Sequence, residues 1–350
     1  MSRTLVVRLD AAGDVLLAGP AVRAAAAASS TLTFLTGPRG ADAARLLPGV
    51  DEVLVWASPW IEPSPEPVDP DDVAGLVGRL AERRFDRALV LTSFHQSPLP
   101  TALVLRLAGV PWVGAISEDY PGSLLDLRHR VDDDLPEPER ALSLALAAGF
   151  SLLPDDDGSL QVRRPLPDVS HLLPDGHFVV LHPGTSVPAR AWPAERFAAT
   201  VRRLTDLGHE VVVTGAPSET DLTRAVTAGT PALDLGGRTS LPELAAVLAS
   251  AATVVVGNTG PAHLAASVGT PVVSLFAPTV PSARWAPYRV PVVLLGDQHA
   301  PCRDSRVTRC PVPGHPCLAS VSPDDVVDAV HQLCGEHRLA PVAGPSRRSA

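Results

Sequence analysis

Residues Val254–Thr279 read VVVGNTGPAHLAASVGTPVVSLFAPT. The β-branched run Thr253–Val256 has the pattern of a strand buried on both faces. It breaks at Gly257-Asn258-Thr259-Gly260. A helix is expected from Pro261 to Val268, closed by Gly269, and a second buried strand from Pro271 to Phe276. Pro261 suits a first helical turn, with Asn258 or Thr259 at the cap. The unit is β–turn–α–β, and a helical crossover of this kind joins parallel strands. A glycine turn feeding a helix N-terminus leaves free amides beside a positive dipole end, where a phosphate can bind. His263 lies in the first turn of that helix, within reach of such a ligand. Taken alone, the turn is as readily structural, and His263 as readily a satisfied core histidine.

The same alternation runs outward in both directions. Upstream, strands are expected at Thr4–Leu9, Leu32–Leu35, Val53–Trp56, Arg87–Leu91 and Trp112–Gly114. Helices fall between them at Val15–Ala28, with Pro20 as a kink or an early-turn feature, and at Ala41–Leu47, Val73–Arg84 and Leu99–Ala108. Ser58–Asp72 reads as a Pro-rich surface loop, Arg128–Pro138 as charged and irregular, and Glu139–Ala148 as a helix. Leu153–Asp175 has little periodicity and reads as a linker. A second array follows, with strands at Phe178–Leu181, Glu210–Thr214, Ala232–Leu235 and Val292–Leu295 flanking the opening unit. Helices alternate with them at Glu195–Leu207, Glu219–Thr227 and Leu241–Ser250, and a last helix is expected at Pro323–Cys334. The expected architecture is α/β, two βαβ arrays of similar size joined by a linker, residues 1–165 and 166–338, each a doubly wound sheet. The tail, 339–350, is expected to be disordered.

A chain of 350 residues with 45% hydrophobic content is long enough for two cores. Aromatics make up only 4%, so those cores must be built of Val, Leu and Ala. The net charge of −9, with no basic stripe interleaved with aromatics, argues against nucleic acid as a partner. All 29 basic residues are arginine. No signal peptide or membrane-length apolar run is evident, so a cytosolic location is expected, with peripheral contact at the inner membrane face left open. Cys302, Cys310 and Cys317 lie close to His315, but their spacing fits no Cys-x₂-Cys zinc pattern. A reduced, packed loop is expected there, with no metal and no cofactor.

In open α/β sheets, ligands sit beyond the carboxyl ends of the strands. Turns carrying chemistry occur there at Asp10/Asp14, His182–Ser186, Gly215–Glu219 and Asn258–His263. These turns are the ones that resemble glycosyltransferase family 9, the heptosyltransferases of lipopolysaccharide core assembly. The resemblance rests on Arg8-Leu9-Asp10-Ala11-Ala12-Gly13-Asp14, on His182-Pro183-Gly184-Thr185 with Ala189-Arg190-Ala191-Trp192-Pro193, and on Gly257-Asn258-Thr259-Gly260-Pro261-Ala262-His263. Pro278-Thr279 and Arg284-Trp285 extend it, and the order is right.

The resemblance implies a GT-B fold, two Rossmann-like βαβ domains facing a central cleft, and inverting, metal-independent transfer from a nucleotide-sugar donor, ADP-heptose, to a glycan, glycolipid or small-molecule acceptor. Asp14 is expected as the base that takes the acceptor proton, unless it only caps its helix; Asp10 is the rival base or a ligand of the acceptor hydroxyl. Arg190, where the family usually has Lys, is expected to meet the leaving diphosphate with Thr185, Thr259, Gly260 and His263. Glu219, or Asp221, is expected on the donor ribose. His95 is a candidate for the acceptor side. Asn258 departs from the family's usual Asp, which motivates an alternative: a non-catalytic nucleotide-sugar-binding protein on the same fold.

Overall fold

The computed structural model describes residues 2–131 and 134–339. The first array runs β1 (Arg3–Arg8), α1 (Ala12–Leu17), α2 (Gly19–Ala27), β2 (Thr31–Thr36), α3 (Ala41–Leu46), β3 (Glu52–Val55) and α4 (Pro70–Arg83). It continues through β4 (Arg87–Val90), α5 (Leu99–Leu107), β5 (Val113–Ile116), β6 (Leu127–His129) and α6 (Glu137–Ala147). The second runs β7 (Phe178–His182), α7 (Ala194–Asp206), β8 (Glu210–Gly215), α8 (Thr220–Thr227), β9 (Leu233–Gly236) and α9 (Leu241–Ser250). It closes with β10 (Thr253–Gly257), α10 (Gly260–Val268), β11 (Val272–Leu275), α11 (Ser282–Trp285), β12 (Val292–Leu295), α12 (Pro316–Ala319) and α13 (Pro323–Leu339). Residues 340–350 of the tail expected to be disordered lie outside the described residues.

Each array forms one six-stranded sheet, ordered β3-β2-β1-β4-β5-β6 and β12-β11-β10-β7-β8-β9. All strand pairs are parallel. The two orders are the same winding read from opposite ends. Each sheet reverses direction once, between β1 and β4 and between β7 and β10. A crevice opens at such a switch point because the adjacent connections leave to opposite faces.

Two sequence expectations need correction. The helix expected over Val15–Ala28 is two helices that part at Ala18. Pro20 sits in the first turn of α2, where its missing N–H breaks no helical hydrogen bond. The segment Arg128–Pro138, read as irregular, begins inside edge strand β6, whose pairing Gly114↔Leu127 and Ala115↔Arg128 extends the first sheet. Three residues are too few to show a period of two. Elsewhere local signals act as expected: Ser240 and Glu243 form a capping box at α9, and Gly269 closes α10 at a φ of 86°.

The cores are aliphatic, and one apolar cluster is shared by both arrays. It runs from Val6, Leu16 and Leu47 of the first to Leu244, Leu264 and Val254 of the second. The two sheets are therefore docked through α1 and α3 against α10 and α9. The segment between the arrays returns over α2, where Arg23 makes a two-pronged bond to Asp156, Nε to Oδ2 at 2.6 Å and Nη2 to Oδ1 at 2.8 Å. Both side chains are largely buried. Arg23→Ala strands Asp156 without its partner and should cost about 3 kcal/mol in urea unfolding. Arg23→Lys should recover only part of that, because an ammonium lacks the planar fork. An Arg23→Ala protein as stable as the parent contradicts this role.

Candidate active site

Four connections reach the switch points: those after β1, β4, β7 and β10. With residues from the loops after β2, β3, β11 and β12, they line a cavity of roughly 380 Å³ between the sheets. The first array contributes Asp10, Gly13, Asp14 and the Ser93–Gln96 turn. The second contributes Ser186, Val187, Arg190, the Asn258–Gly260 turn, His263, Trp285, Arg306 and Thr308. Of the residues singled out from the sequence, Asp10, Asp14, His95, Arg190, Asn258, Thr259, Gly260 and His263 come together here.

The close approach of the two walls depends on Gly13. A Cβ there would lie 3.0 Å from His263 Cδ2 and 3.2 Å from Gly260 Cα. With no side chain on either glycine, the first turn of α1 rests against the N-terminus of α10. Thr259 stands at the N-cap but makes no side-chain cap hydrogen bond. Asp14 lies in the first turn of α1; the N-cap there is Ala11, so Asp14 is not that helix's cap.

Behind Asp14 sits a buried charge cluster. Arg8, the last residue of β1, is 2% exposed. Its Nη2 donates to Asp14 Oδ1 at 3.1 Å and to Ser93 Oγ at 2.8 Å. Its Nε lies 2.7 Å from Asp10 Oδ2, too bent for a hydrogen bond, and its Nη1 lies 3.5 Å from Glu137 Oε2. Burial disfavours the Arg8 cation, but Asp10, Asp14 and Glu137 outweigh it and hold the pKa above the ordinary arginine value. Gln96 Nε2 donates to Asp10 Oδ1 at 2.5 Å. Burial pushes the Asp10 carboxyl up, against the pull of Arg8.

Across the cavity the situation is reversed: the cation lacks a counter-ion. Among the described residues, no carboxylate lies within ion-pair distance of Arg190. Its Nη1 donates to the Asn258 carbonyl at 3.3 Å, and its buried Nε has no partner. Burial lowers its pKa, partly offset by Asp14. The short 3-10 turn Pro188–Arg190 is itself held by the Cys loop. Ala189 donates to the Thr308 carbonyl at 2.9 Å and its carbonyl faces His315 Nε2 at 3.1 Å. His263 is buried beside Arg190, with Nδ1 unpartnered; burial first and Arg190 second push its pKa down to about 4. The imidazole is therefore neutral at pH 7.

Asn258 lines the cavity, but its side chain serves the fold: Nδ2 donates to the Ala277 carbonyl at 3.3 Å and Oδ1 accepts from the Ala277 amide at 3.4 Å. Thr185 and Glu219 do not line the cavity. Thr185 Oγ1 accepts from the Val187 amide at 3.2 Å. Glu219 accepts from the Ala216 amide at 2.8 Å and lies over Gly184, where a Cβ would fall 2.1 Å from its carboxylate. Asp221 pairs on the surface with Arg224 at 2.6 Å.

His95 lines both this cavity and an adjoining one of roughly 360 Å³ that includes Arg140 and Arg284. Burial and Arg306 lower its pKa. Next to it, Phe94 is covered by the Arg306 guanidinium at 3.6 Å and that of Arg284 at 4.2 Å. These cation–π contacts tie the first array to the second. Cys302 and Cys317 are buried and Cys310 half-buried, all free thiols; burial raises the pKa of Cys317 to about 11. Among the described residues, no group of three metal-ligating side chains is arranged to hold a metal ion.

Arg8, Gln96, Glu137 and Arg306 belong to this site, although none was assigned a role from sequence. Only Arg8 carried a signal, as a charge ending a buried apolar strand.

Two Rossmann-like sheets with a charged cavity between their switch points define the GT-B class of α/β proteins. The glycosyltransferase family 9 (heptosyltransferase) profile matches residues 73–314, and the chain belongs to that family. It is 25% identical over 291 residues to lipopolysaccharide heptosyltransferase 2 of Salmonella typhimurium (strain LT2), covering 73% of this chain and 78% of the relative. Lipopolysaccharide heptosyltransferase 3 of Escherichia coli is 29% identical over 49% of this chain, a match that spans only 51% of that protein. Among solved structures, E. coli ADP-heptose lps heptosyltransferase II superposes with a TM-score of 0.74 at 20% identity, over 97% of this chain and 100% of its own. E. coli heptosyltransferase WaaC, solved with ADP-2-deoxy-2-fluoro heptose, gives 0.69 at 21% identity, over 94% and 99%.

His263 and His182, which is also buried with its pKa pushed down to about 4, have an unfolded value near 6.5. Between those values the unfolded chain binds protons that the folded chain refuses. Their contribution to stability is complete above pH 6.5 and is lost as pH falls toward 4. Replacing either by Gln should shrink the stability difference between pH 7 and pH 5 by on the order of 2 kcal/mol, read from urea melts. An unchanged difference would place these rings in water.

Proposed function

We propose that the chain transfers a heptose from ADP-heptose to a hydroxyl of a glycan or glycolipid acceptor, with inversion at the anomeric carbon. One observation carries this reading. Two buried nitrogens without partners, Arg190 Nε and His263 Nδ1, share a cavity with the α10 N-terminus and face the carboxylate of Asp14. Buried polar atoms left unpaired are a cost to folding, and an anion bound among them removes it. A diphosphate fits that description: two negative groups, a helix N-terminus and a guanidinium fork.

An inverting displacement needs the base and the leaving group on opposite sides of the sugar. The two walls supply that arrangement. Asp14 takes the proton of the attacking hydroxyl. The bond from the anomeric carbon to the diphosphate oxygen breaks as the new glycosidic bond forms. The departing charge is met by Arg190, by the free amides at Thr259 and Gly260, and by neutral His263 as a hydrogen-bond donor. These groups can stabilise the leaving diphosphate without a metal ion. ADP-heptose as donor is supported by the heptosyltransferase relatives and by the WaaC complex with its donor analogue. The acceptor enters from the side of His95 and the adjoining cavity. No helix among the described residues is long and apolar enough to cross a membrane. We place the reaction at the inner membrane face, on an acceptor the protein meets from the aqueous side. The alternative of a non-catalytic binder rested on Asn258; its amide is engaged with Ala277, so that departure leaves Asp14 and Arg190 in place.

The test is calorimetry with ADP together with an ADP-release assay in the presence of acceptor. Asp14→Asn should cut turnover roughly a thousandfold, because base catalysis is lost, while leaving ADP affinity within about twofold. Arg190→Ala should weaken ADP binding at least roughly tenfold as well as slowing turnover. Full turnover in Asp14→Asn removes Asp14 as the base, and tight ADP binding without turnover in the unmodified protein favours the non-catalytic reading.

A further inference from the structure

Glu137 opens α6, 1% exposed, on the far side of Arg8 from the cavity. Its Oε2 lies 3.5 Å from Arg8 Nη1, while Oε1 has no hydrogen-bond partner and lies 3.9 Å from Arg140 Nη1. A buried carboxylate with an oxygen lacking a donor is an expensive way to fill space. Burial pushes its carboxyl up, against the pull of Arg8 and Arg140, and what it supplies in its ionised form is charge. Arg8 contacts Asp10, Asp14 and Glu137 at once. We propose that Glu137 is a positioning residue that sets the basicity of Asp14 through Arg8. The proposal rests on the reading of Asp14 as the base.

A base bonded directly to a guanidinium is a poor one, because the cation favours its deprotonated form. Glu137 spreads the pull of Arg8 over a second carboxylate and adds a negative charge of its own behind the base. Both effects make Asp14 hold a proton more readily. The groups facing Glu137 are Arg8 from β1, Asp14 from α1, Arg140 one turn on in α6 and Arg284 from the second array. Asp10, with Gln96 and His95 nearby, faces the other edge of Arg8. The two cations nearest Glu137 thus face three carboxylates in all, and proton uptake by Asp14 brings that inner group to neutrality.

The experiment follows the Asp14 carboxyl by ¹³C NMR titration, assigned with Asp14→Asn, alongside the pH profile of kcat/KM for ADP release. Glu137→Gln should move the Asp14 titration to lower pH by at least about half a unit, shift the acid limb of the profile equally, and lower the plateau rate severalfold as the base weakens. Glu137→Asp, which keeps the charge, should restore most of the shift. A Glu137→Gln protein that melts earlier but titrates unchanged overturns the proposal, since a merely structural residue does that. Should Glu137→Gln fail to fold, Arg140→Gln takes its place: loss of that cation should move the titration upward, and no movement overturns the proposal. The NMR readout needs no turnover. A shifted titration in a protein without transfer activity therefore contradicts the transferase reading and leaves the coupling standing.

Discussion

Everything at the cavity depends on how closely the first turn of α1 approaches the start of α10. Gly13 and Gly260 meet with no side chain between them. That contact sets the spacing between the sheets and brings Asp14 opposite Arg190 and His263. It also leaves the second wall electrically incomplete: a helix N-terminus, a guanidinium and a neutral imidazole, with no carboxylate among the described residues close enough to pair with Arg190. Such a wall is stable only at a cost unless an anion completes it. On the proposed reading, the folding cost of that wall and its affinity for a diphosphate have the same electrostatic origin.

The first wall is arranged in the opposite sense. Arg8 ends a buried strand and draws three carboxylates around itself. A cluster of this kind is weak evidence for stability, since desolvation offsets much of the attraction. Its value is geometric and chemical. It fixes Asp14 from behind and leaves the carboxylate partly open to the cavity, with a side-chain exposure of 27%. Phe94, clasped by Arg284 and Arg306, and Tyr288, donating to Glu139 at 2.9 Å, fasten the two halves at the rim. The two walls of the cavity are thereby locked into register.

Much of this was legible in the sequence, because its signals are local. β-branched runs separated by glycine turns specify buried parallel strands, and the short motifs at strand ends mark the switch-point loops. Asp14, Arg190, Thr259, Gly260 and His263 all sit in such motifs. What escaped notice depends on tertiary contact. Glu137 meets Arg8 from the far end of the first array, out of a stretch that looked merely charged. β6 is an edge strand too short to show its period. Glu219 and Thr185 were expected on the donor from their place in motifs, yet each side chain is bonded to a backbone amide of its own turn and lies outside the cavity lining. Asn258, which departs from the family's usual Asp, bonds the Ala277 backbone. Motif position tells where a loop goes; which way a polar side chain is spent depends on neighbours that sequence spacing does not reveal.

A crystal structure with ADP-heptose or a non-transferable analogue tests the central claim most directly. The account predicts the diphosphate at the start of α10, bonded by the free amides there, by Arg190 and by His263, with the anomeric carbon turned toward Asp14. A diphosphate bound elsewhere, or a sugar held with Asp14 on the far side of separated walls, contradicts it.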